Sequence, residues 1–205
     1  MDIFNGKMLD LSFPYYDISD IQLDYRIGSG SIGDVYKGTL TLDEDTADCV
    51  VKKVSSDTYE KGSIDSPLYQ DMLDEIIIGE KLIGKTKYQI QFYGYSIFER
   101  SGIVTIYLIM EKTDAVGDLA TYISNNKYWL SLTKEEYRNS ESNTILYQDG
   151  SYWDFILPEK EKVTIMYQMC LAVQELHSFS IIHCDLKPGN MLFDTKTIKL
   201  IDYNA

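Results

Sequence analysis

A chain of 205 residues with 44% hydrophobic and 25% charged side chains can bury a core, as one domain or as two lobes sharing a cleft. Its composition excludes a disordered or collagen-like chain. The formal net charge of -13 excludes non-specific nucleic-acid binding, which needs clustered Lys and Arg against phosphate. Within residues 1–80 there are 17 acidic and 6 basic side chains, a solvated acidic surface or one that draws in a basic substrate or partner. Cys49, Cys170 and Cys184 show neither paired nor C-x-x-C spacing, so a reducing, cytoplasmic setting is expected, without a disulfide framework or zinc site. The first residues carry no basic region followed by an apolar run, and the apolar stretch Ile103 to Met110 is too short to cross a bilayer, so no membrane segment is expected.

Residues 1–19 read as a polar and aromatic lead-in to which no element is assigned. Ile21, Leu23, Tyr25 and Ile27 then alternate with polar residues as a half-buried strand does. The run Gly28-Ser29-Gly30-Ser31-Ile32-Gly33-Asp34-Val35 follows, and Tyr36 to Leu42 reads as a second strand. A G-x-G-x-x-G pattern also marks dinucleotide-binding folds, but there a helix follows the third glycine, and here a strand does. Asp43 to Asp48 reads as an acidic turn into the short strand Cys49 to Val54, which carries Lys52.

Beyond the polar loop Ser55 to Asp65, Ser66-Pro67 supplies an N-cap and a first helical residue. Tyr69, Met72, Leu73, Ile76 and Ile77 recur at helical spacing, with Glu75 among them. Gly79 lies one turn on, where Gly costs about 1 kcal/mol relative to Ala. Tyr88 to Tyr95 and Ile103 to Met110 read as strands, the second leading into Glu111-Lys112-Thr113. Residues 127–157, polar and aromatic with a turn signal at Asp149-Gly150, read as an insertion. Pro158 opens a helix to His177 whose stripe Val163, Met166, Met169, Cys170, Val173 and Leu176 is expected to be core. Met191 to Phe193 and Ile198 to Ile201 form a small hairpin around Asp194 to Thr197.

The chemistry concentrates in His183-Cys184-Asp185-Leu186-Lys187-Pro188-Gly189-Asn190 and, a dozen residues on, Ile201-Asp202-Tyr203-Asn204. Phosphoryl transfer asks a protein chiefly for positioning: a carboxylate for the acceptor hydroxyl, and oxygen ligands for the metal that neutralises the phosphates. The pattern H-x-D-L-K-P-x-N resembles the catalytic loop of protein kinases, and the Lys two residues after the Asp resembles the Ser/Thr rather than the Tyr type.

That resemblance, from about residue 20 onward, implies an α+β, two-lobed kinase-like fold: a small lobe over 20–112 with an antiparallel sheet and the family's αC helix, and a partial helical large lobe over 113–205. It implies ATP and Mg2+ as cofactors and a protein substrate, and it assigns roles. Asp185 would take the acceptor-hydroxyl proton and Lys187 would stabilise charge on the transferred group. Asn190 and Asp202 would bind the metal ions. Gly28, Ser29, Gly30, Gly33 and Val35 would cover the phosphates, and Lys52, paired with Glu75, would hold them. Val50, Met110 and Leu192 would enclose the adenine, the backbone of Glu111 and Thr113 would bond its edge, and Asp118 would meet the ribose.

Several positions depart from the family pattern. Val50 replaces an Ala and adds bulk to the pocket roof. Gly79 is expected to leave a gap where the family carries a bulky side chain, loosening the helix. Cys184 replaces the Arg that grips an activation-loop phosphate, so activity is expected not to depend on loop phosphorylation. Tyr203-Asn204 stands for Phe-Gly, with Asn tolerating a left-handed backbone. No activation segment or A-P-E motif precedes Ala205, which implies exposed apolar surface on the helix 158–177. The competing readings are a nucleotide-binding pseudokinase or interaction module, and a small-molecule phosphotransferase. The presence of Lys52, Glu75, Asp185, Asn190 and Asp202 together favours transfer, and the full glycine loop weighs against the third reading.

Overall fold

The computed structural model describes residues 12–29, 33–43, 45–55, 67–115, 117–125, 128–132, 145–146, 152–156, 159–194 and 196–203. Its upper part is one antiparallel sheet of five strands, β1 (Ile21–Ser29), β2 (Asp34–Leu42), β3 (Asp45–Ser55), β4 (Phe92–Arg100) and β5 (Ile103–Glu111), in the order β1-β2-β3-β5-β4. The expected acidic turn at 43–48 is mostly strand: β3 begins at Asp45, paired with Leu42. The strand expected from Tyr88 begins at Phe92 instead. Tyr88 to Ile90 turn away to bond the backbone of Leu200, with Leu200 N–H donating to Tyr88 O at 2.8 Å and Ile90 N–H to Leu200 O at 3.0 Å.

The sheet buries both faces. Met72, Ile76, Ile78 and Leu82 of the helix α1 (Pro67–Leu82) join Val54, Phe92, Ile106 and Leu108 in one core. Cys49, Val51, Tyr107 and Ile109 join Ile21 and Leu40 on the opposite face, partly covered by Tyr16 and Ile18. Central β5 is therefore buried from Val104 to Met110, which explains its unbroken apolar run, since a strand covered on both sides has no polar face to show. Burial at the Cys49 thiol pushes its pKa up to about 11, so it sits as a small apolar group rather than a reactive one. Pro67 is the first residue of α1 as expected, while Ser66 and the Tyr69 side chain lie outside the described residues.

The lead-in, from Ser12, is part of the small lobe. Tyr95 N–H donates to Pro14 O and Tyr16 N–H to Tyr95 O, both at 2.9 Å, so the segment lies along the edge of β4 and buries Phe13. Gly94 allows this approach: its φ is +157°, and a Cβ there would stand 2.3 Å from Pro14 O. Gly94→Ala is expected to cost roughly 2–4 kcal/mol, because backbone rather than a side chain must move. Equilibrium urea unfolding checks the value.

Below the sheet lie the short helix α2 (Leu119–Asn125), the long helix α3 (Glu159–Ser178) and a hairpin of β9 (Met191–Phe193) and β10 (Ile198–Leu200). Within the expected insertion, β6 (Tyr128–Leu132), β7 (Ile145–Leu146) and β8 (Tyr152–Ile156) form a small antiparallel sheet in the order β6-β8-β7. Pro158, expected to open α3, lies outside the described residues.

The expected core stripe of α3 is corrected. Ile165, Ala172 and Leu176 are the buried positions, with Met169 packed against them, whereas Val163 and Met166 are 63% and 65% exposed and Cys170 is exposed. Two apolar stripes at helical spacing run along this helix, and the hairpin, Ile198 N–H to Gln168 Oε1 at 2.7 Å, covers only one of them. No helix among the described residues is long and apolar enough to cross a membrane.

Candidate active site

Strand geometry aims the lysine. Side chains alternate along a strand, so Lys52 shares a face with Val50 and Val54, the face that carries the main core. On α1, Met72, Glu75, Ile76, Gly79 and Leu82 recur at three- and four-residue steps on the buried side. Glu75 thus stands in an apolar stripe, 1% exposed, opposite Lys52 at 5%. The two meet at 2.7 Å between Nζ and Oε2, and Nζ also donates to Asp202 Oδ1 at 3.0 Å. Burial works against the Lys52 ammonium, but the charges of Glu75 and Asp202 outweigh it and hold its pKa above the usual lysine value. Burial pushes the Glu75 carboxyl up, opposed by Lys52. An ammonium held by two carboxylates keeps its proton.

The segment 183–190 is fixed from inside. Asn190 is buried and donates from Nδ2 to Asp185 O at 3.0 Å and to Asp185 Oδ2 at 2.9 Å, while its carbonyl accepts from Ile201 N–H at 3.0 Å. Lys187 Nζ donates to the same Asp185 Oδ2 at 2.5 Å. Hydrogen bonding from Lys187, with a further bond from Asn190, holds the Asp185 carboxyl below the usual carboxylate range despite some desolvation. The carboxylate is therefore ionised at neutral pH and can only accept hydrogen bonds. Two non-glycine residues here adopt left-handed backbone, Cys184 at φ 62° and Asp202 at φ 57°. Such conformations persist where surrounding bonds over-determine them. Asn204, read as tolerating a left-handed backbone, lies outside the described residues.

His183 anchors the loop's start. It is buried, Nε2 lies 3.0 Å from Ile201 O, and its ring lies 5.2 Å from the Tyr203 ring. Since a carbonyl only accepts, Nε2 carries the proton. Tyr203, read from sequence as a mild replacement for Phe, donates its hydroxyl to Gln89 Oε1 at 3.2 Å and Leu200 O at 3.1 Å. Gln89, fully buried, in turn donates to Ala172 O at 2.8 Å. The residue after Asp202 is thereby tied to α3.

Burial lowers the His183 pKa despite bonds and carboxylates that raise it. The unfolded chain then binds a proton near pH 6.5 that the folded chain refuses, so this group's stabilisation is present above pH 6.5 and is lost on acidification. The melting temperature is expected to decline below about pH 6.5 and to decline less steeply in His183→Asn, whose amide can still donate to Ile201 O. Melting curves from pH 8 to 5 check this.

Between the sheet and the loop lies a cleft of about 500 Å3, within the usual range of ligand pockets. Of the residues expected around a nucleotide, Gly28, Val35, Val50, Lys52, Met110, Glu111, Thr113, Asp118, Leu192 and Asp202 line it. Glu75 stands behind Lys52, and Asp185, Lys187 and Asn190 are not among the lining residues, although Gly189, between Lys187 and Asn190, is. Ser29 ends β1 without lining it, and Gly30 lies outside the described residues. Gly33 is pressed on β3, where a Cβ would stand 2.3 Å from Lys53 O. The Glu111 N–H is already bonded to Gln91 O at 2.9 Å, so its carbonyl is the group it can offer. The Glu111 side chain bonds Lys199 and Gln91 N–H, pinning this strand end. Asp118 caps α2, accepting from Thr121 N–H at 2.8 Å and Thr121 Oγ1 at 2.9 Å.

Sequence reasoning missed Tyr25, Ile27 and Ile201, which also line the cleft. Tyr25 and Ile27 are exposed rather than half-buried in the core. Ile21 and Leu23 pack on the Cys49–Val51 face, and register shifts in β1 between Leu23 and Gly28 turn Tyr25 and Ile27 to the cleft instead. Ile201 adjoins Asp202, and that adjacency was the available signal. The expected gap at Gly79 is also corrected. A Cβ there would meet the Phe92 ring at 3.0 Å and the Phe13 ring at 3.1 Å, so two aromatic rings already fill the space.

Comparison with known proteins gives the family. The chain matches the protein kinase domain over residues 21–205. It is 29% identical over 185 residues to the serine/threonine-protein kinase ULK3 of Homo sapiens, covering 88% of this chain and 30% of that one. It is 39% identical over 85 residues to the serine/threonine-protein kinase RUNKEL of Arabidopsis thaliana, covering 41% of this chain and 6% of that one. Cyclin-dependent kinase B2-1 of Oryza sativa subsp. japonica is 35% identical over 77 residues, covering 31% and 24%. The chain spans less than a third of the length of these relatives.

Proposed function

The chain belongs to the protein kinase family, and from that premise we propose that its cleft binds ATP and that its catalytic loop passes the γ-phosphate to a Ser or Thr hydroxyl of a protein substrate. The observation that carries this reading is the Lys52 ammonium held between Glu75 and Asp202 at 2.7 and 3.0 Å. Structural burial alone does not call for a third charge: Asp202 comes from the segment after β10, and its side chain is 45% exposed toward the cleft.

In this reading the apolar side chains Val35, Val50, Met110 and Leu192 sandwich the adenine, and the Glu111 carbonyl and Thr113 backbone meet its edge. Asp118, its lone pairs only partly used by Thr121, faces the ribose. The turn of Gly28, Ser29, Gly30 and Gly33 covers the phosphates with backbone N–H groups. Lys52 binds the phosphates, aimed by Glu75. Asp185 orients the acceptor hydroxyl, whose oxygen bonds to the γ-phosphorus as the bond to the β-phosphate oxygen breaks; the hydroxyl proton passes to Asp185 and ADP leaves. Lys187, already beside Asp185, offsets charge on the group in transit.

Asp202 and Asn190 would hold Mg2+, which supplies neutralisation of the phosphate charge. The donors fit: Asn190 commits its Nδ2 to Asp185, leaving its side-chain oxygen, and Asp202 commits one oxygen to Lys52. Among the described residues no three His, Cys, Asp or Glu side chains cluster as a metal site, which suits an ion that keeps waters and takes phosphate oxygens as ligands.

The test is incubation of the chain with Mg-ATP labelled at the γ-position and a basic generic protein, followed by phosphoamino-acid analysis. Label on Ser or Thr supports the reading. Nucleotide binding without label on any residue would make the chain a pseudokinase instead.

A further inference from the structure

We infer that Phe13, in the lead-in before the first strand, is a positioning residue for the Lys52–Glu75 pair: it supplies α1 with the side chain that Gly79 lacks. What the pair then does rests on the kinase reading above.

Gly79 sits one helical turn beyond Glu75 on the buried side of α1. A helix is held at a fixed rotation against a sheet by side chains that fill the spaces between them. At this turn α1 has none of its own, and the Phe13 and Phe92 rings come up against the bare backbone. Phe13 is 3% exposed, packs edge-on to Phe92 with centroids 6.4 Å apart, and stacks on Tyr95 at 5.8 Å.

Phe92 lies 5.9 Å from the Tyr203 ring, and Tyr203 lies 5.2 Å from His183. A continuous line of rings thus runs from the lead-in, past Gly79, to the neighbours of Asp202 and Asp185. The lead-in also grips α1 next to the glycine: Ser12 donates to Glu80 Oε1 from its N–H at 2.6 Å and from its hydroxyl at 2.7 Å. The backbone bonds at Pro14 and Tyr16 tie the same segment to β4. Phe13 is therefore clamped on both sides of the space it fills. Removing its ring leaves α1 free to roll at the turn that carries Glu75, whose side chain among the described residues is bonded to Lys52 alone.

The test compares the unsubstituted chain with Phe13→Ala, Phe13→Leu and Phe13→Ala/Gly79→Leu, measuring Mg-ATP affinity and amide exchange. For Phe13→Ala we expect roughly tenfold weaker Mg-ATP binding and faster exchange within Pro67–Leu82, with the β9–β10 hairpin as protected as before. Phe13→Leu keeps most of both. The double substitution restores both, because a leucine on the helix fills the space from the other side, a recovery that loss of general packing does not give. Equal α1 exchange and equal affinity in Phe13→Ala would overturn the inference. So would a folded double variant that stays tenfold weaker. If Phe13→Ala does not fold, the double variant decides by the same criterion. If the unsubstituted chain binds no Mg-ATP, the kinase reading falls, and the exchange comparison still decides whether Phe13 holds α1.

Discussion

Replacing Asp185 by Asn is expected to lower phosphoryl transfer by about 10²–10⁴-fold, the usual worth of a positioned general base, with Mg-ATP affinity and melting temperature nearly unchanged. The separation follows from where the carboxylate sits. Asp185 is not among the residues lining the cleft, so on the proposed reading its loss removes nothing that would hold ATP. Asn at this position keeps an oxygen for Lys187 and Asn190, the two groups that now donate to Asp185 Oδ2. What it loses is the charge that attracts the hydroxyl proton. Steady-state transfer measured beside nucleotide titration reads the two quantities apart. Undiminished transfer would remove Asp185 from the mechanism, and weakened nucleotide binding would show that the loop shapes the cleft.

Lys52→Met is expected to destabilise the fold by about 3–5 kcal/mol, the cost of leaving a buried charge without its partner. Glu75 is 1% exposed among Met72, Ile76 and Leu82, and no solvent reaches it to take over the role of Lys52. Asp202 loses the same partner, but its side chain is 45% exposed and water compensates it. The double variant Lys52→Met/Glu75→Leu removes both buried charges and places apolar groups in an apolar site. It is expected to recover most of the stability, as replacing a whole buried pair commonly does. Transfer stays lost in both variants. Urea unfolding of the three chains checks this; a double variant no more stable than the single one would mean that the pair's worth lies in its other contacts.

The five residues assigned to the proposed transfer were legible as a set because their spacing is dictated by chemistry more than by packing. Asp185 and Asn190 share one tight loop, Asp202 follows a hairpin whose register, Ile198 with Phe193 and Leu200 with Met191, returns the chain beside them, and alternation along β3 sets Lys52 inward. The positions misread are those where a partner from elsewhere decides. On α3 two stripes satisfy the same periodicity, and only the position of the hairpin selects Ile165, Ala172 and Leu176 over Val163 and Met166. At Gly79 the space is filled by Phe13 and Phe92, which reach it from the lead-in and from β4, so the helix sequence by itself does not show it filled. Tyr88 to Ile90 alternate like a strand but spend their backbone bonds on Leu200. The Tyr203 hydroxyl, a minor change by side-chain type, has meaning only through Gln89, far away in sequence.

The central claim, that this cleft is an assembled Mg-ATP site completed by Asp202, is tested most directly by melting the chain and its Asp202→Ala variant with ATP, with and without Mg2+. Ligand at a hundredfold excess over its dissociation constant stabilises a folded state by about 2.7 kcal/mol, which for a chain of this size is a rise of roughly 5–10 °C. The account predicts a rise of that order that needs Mg2+ and is confined to the unsubstituted chain. An equal rise in Asp202→Ala, or a rise indifferent to Mg2+, would contradict it.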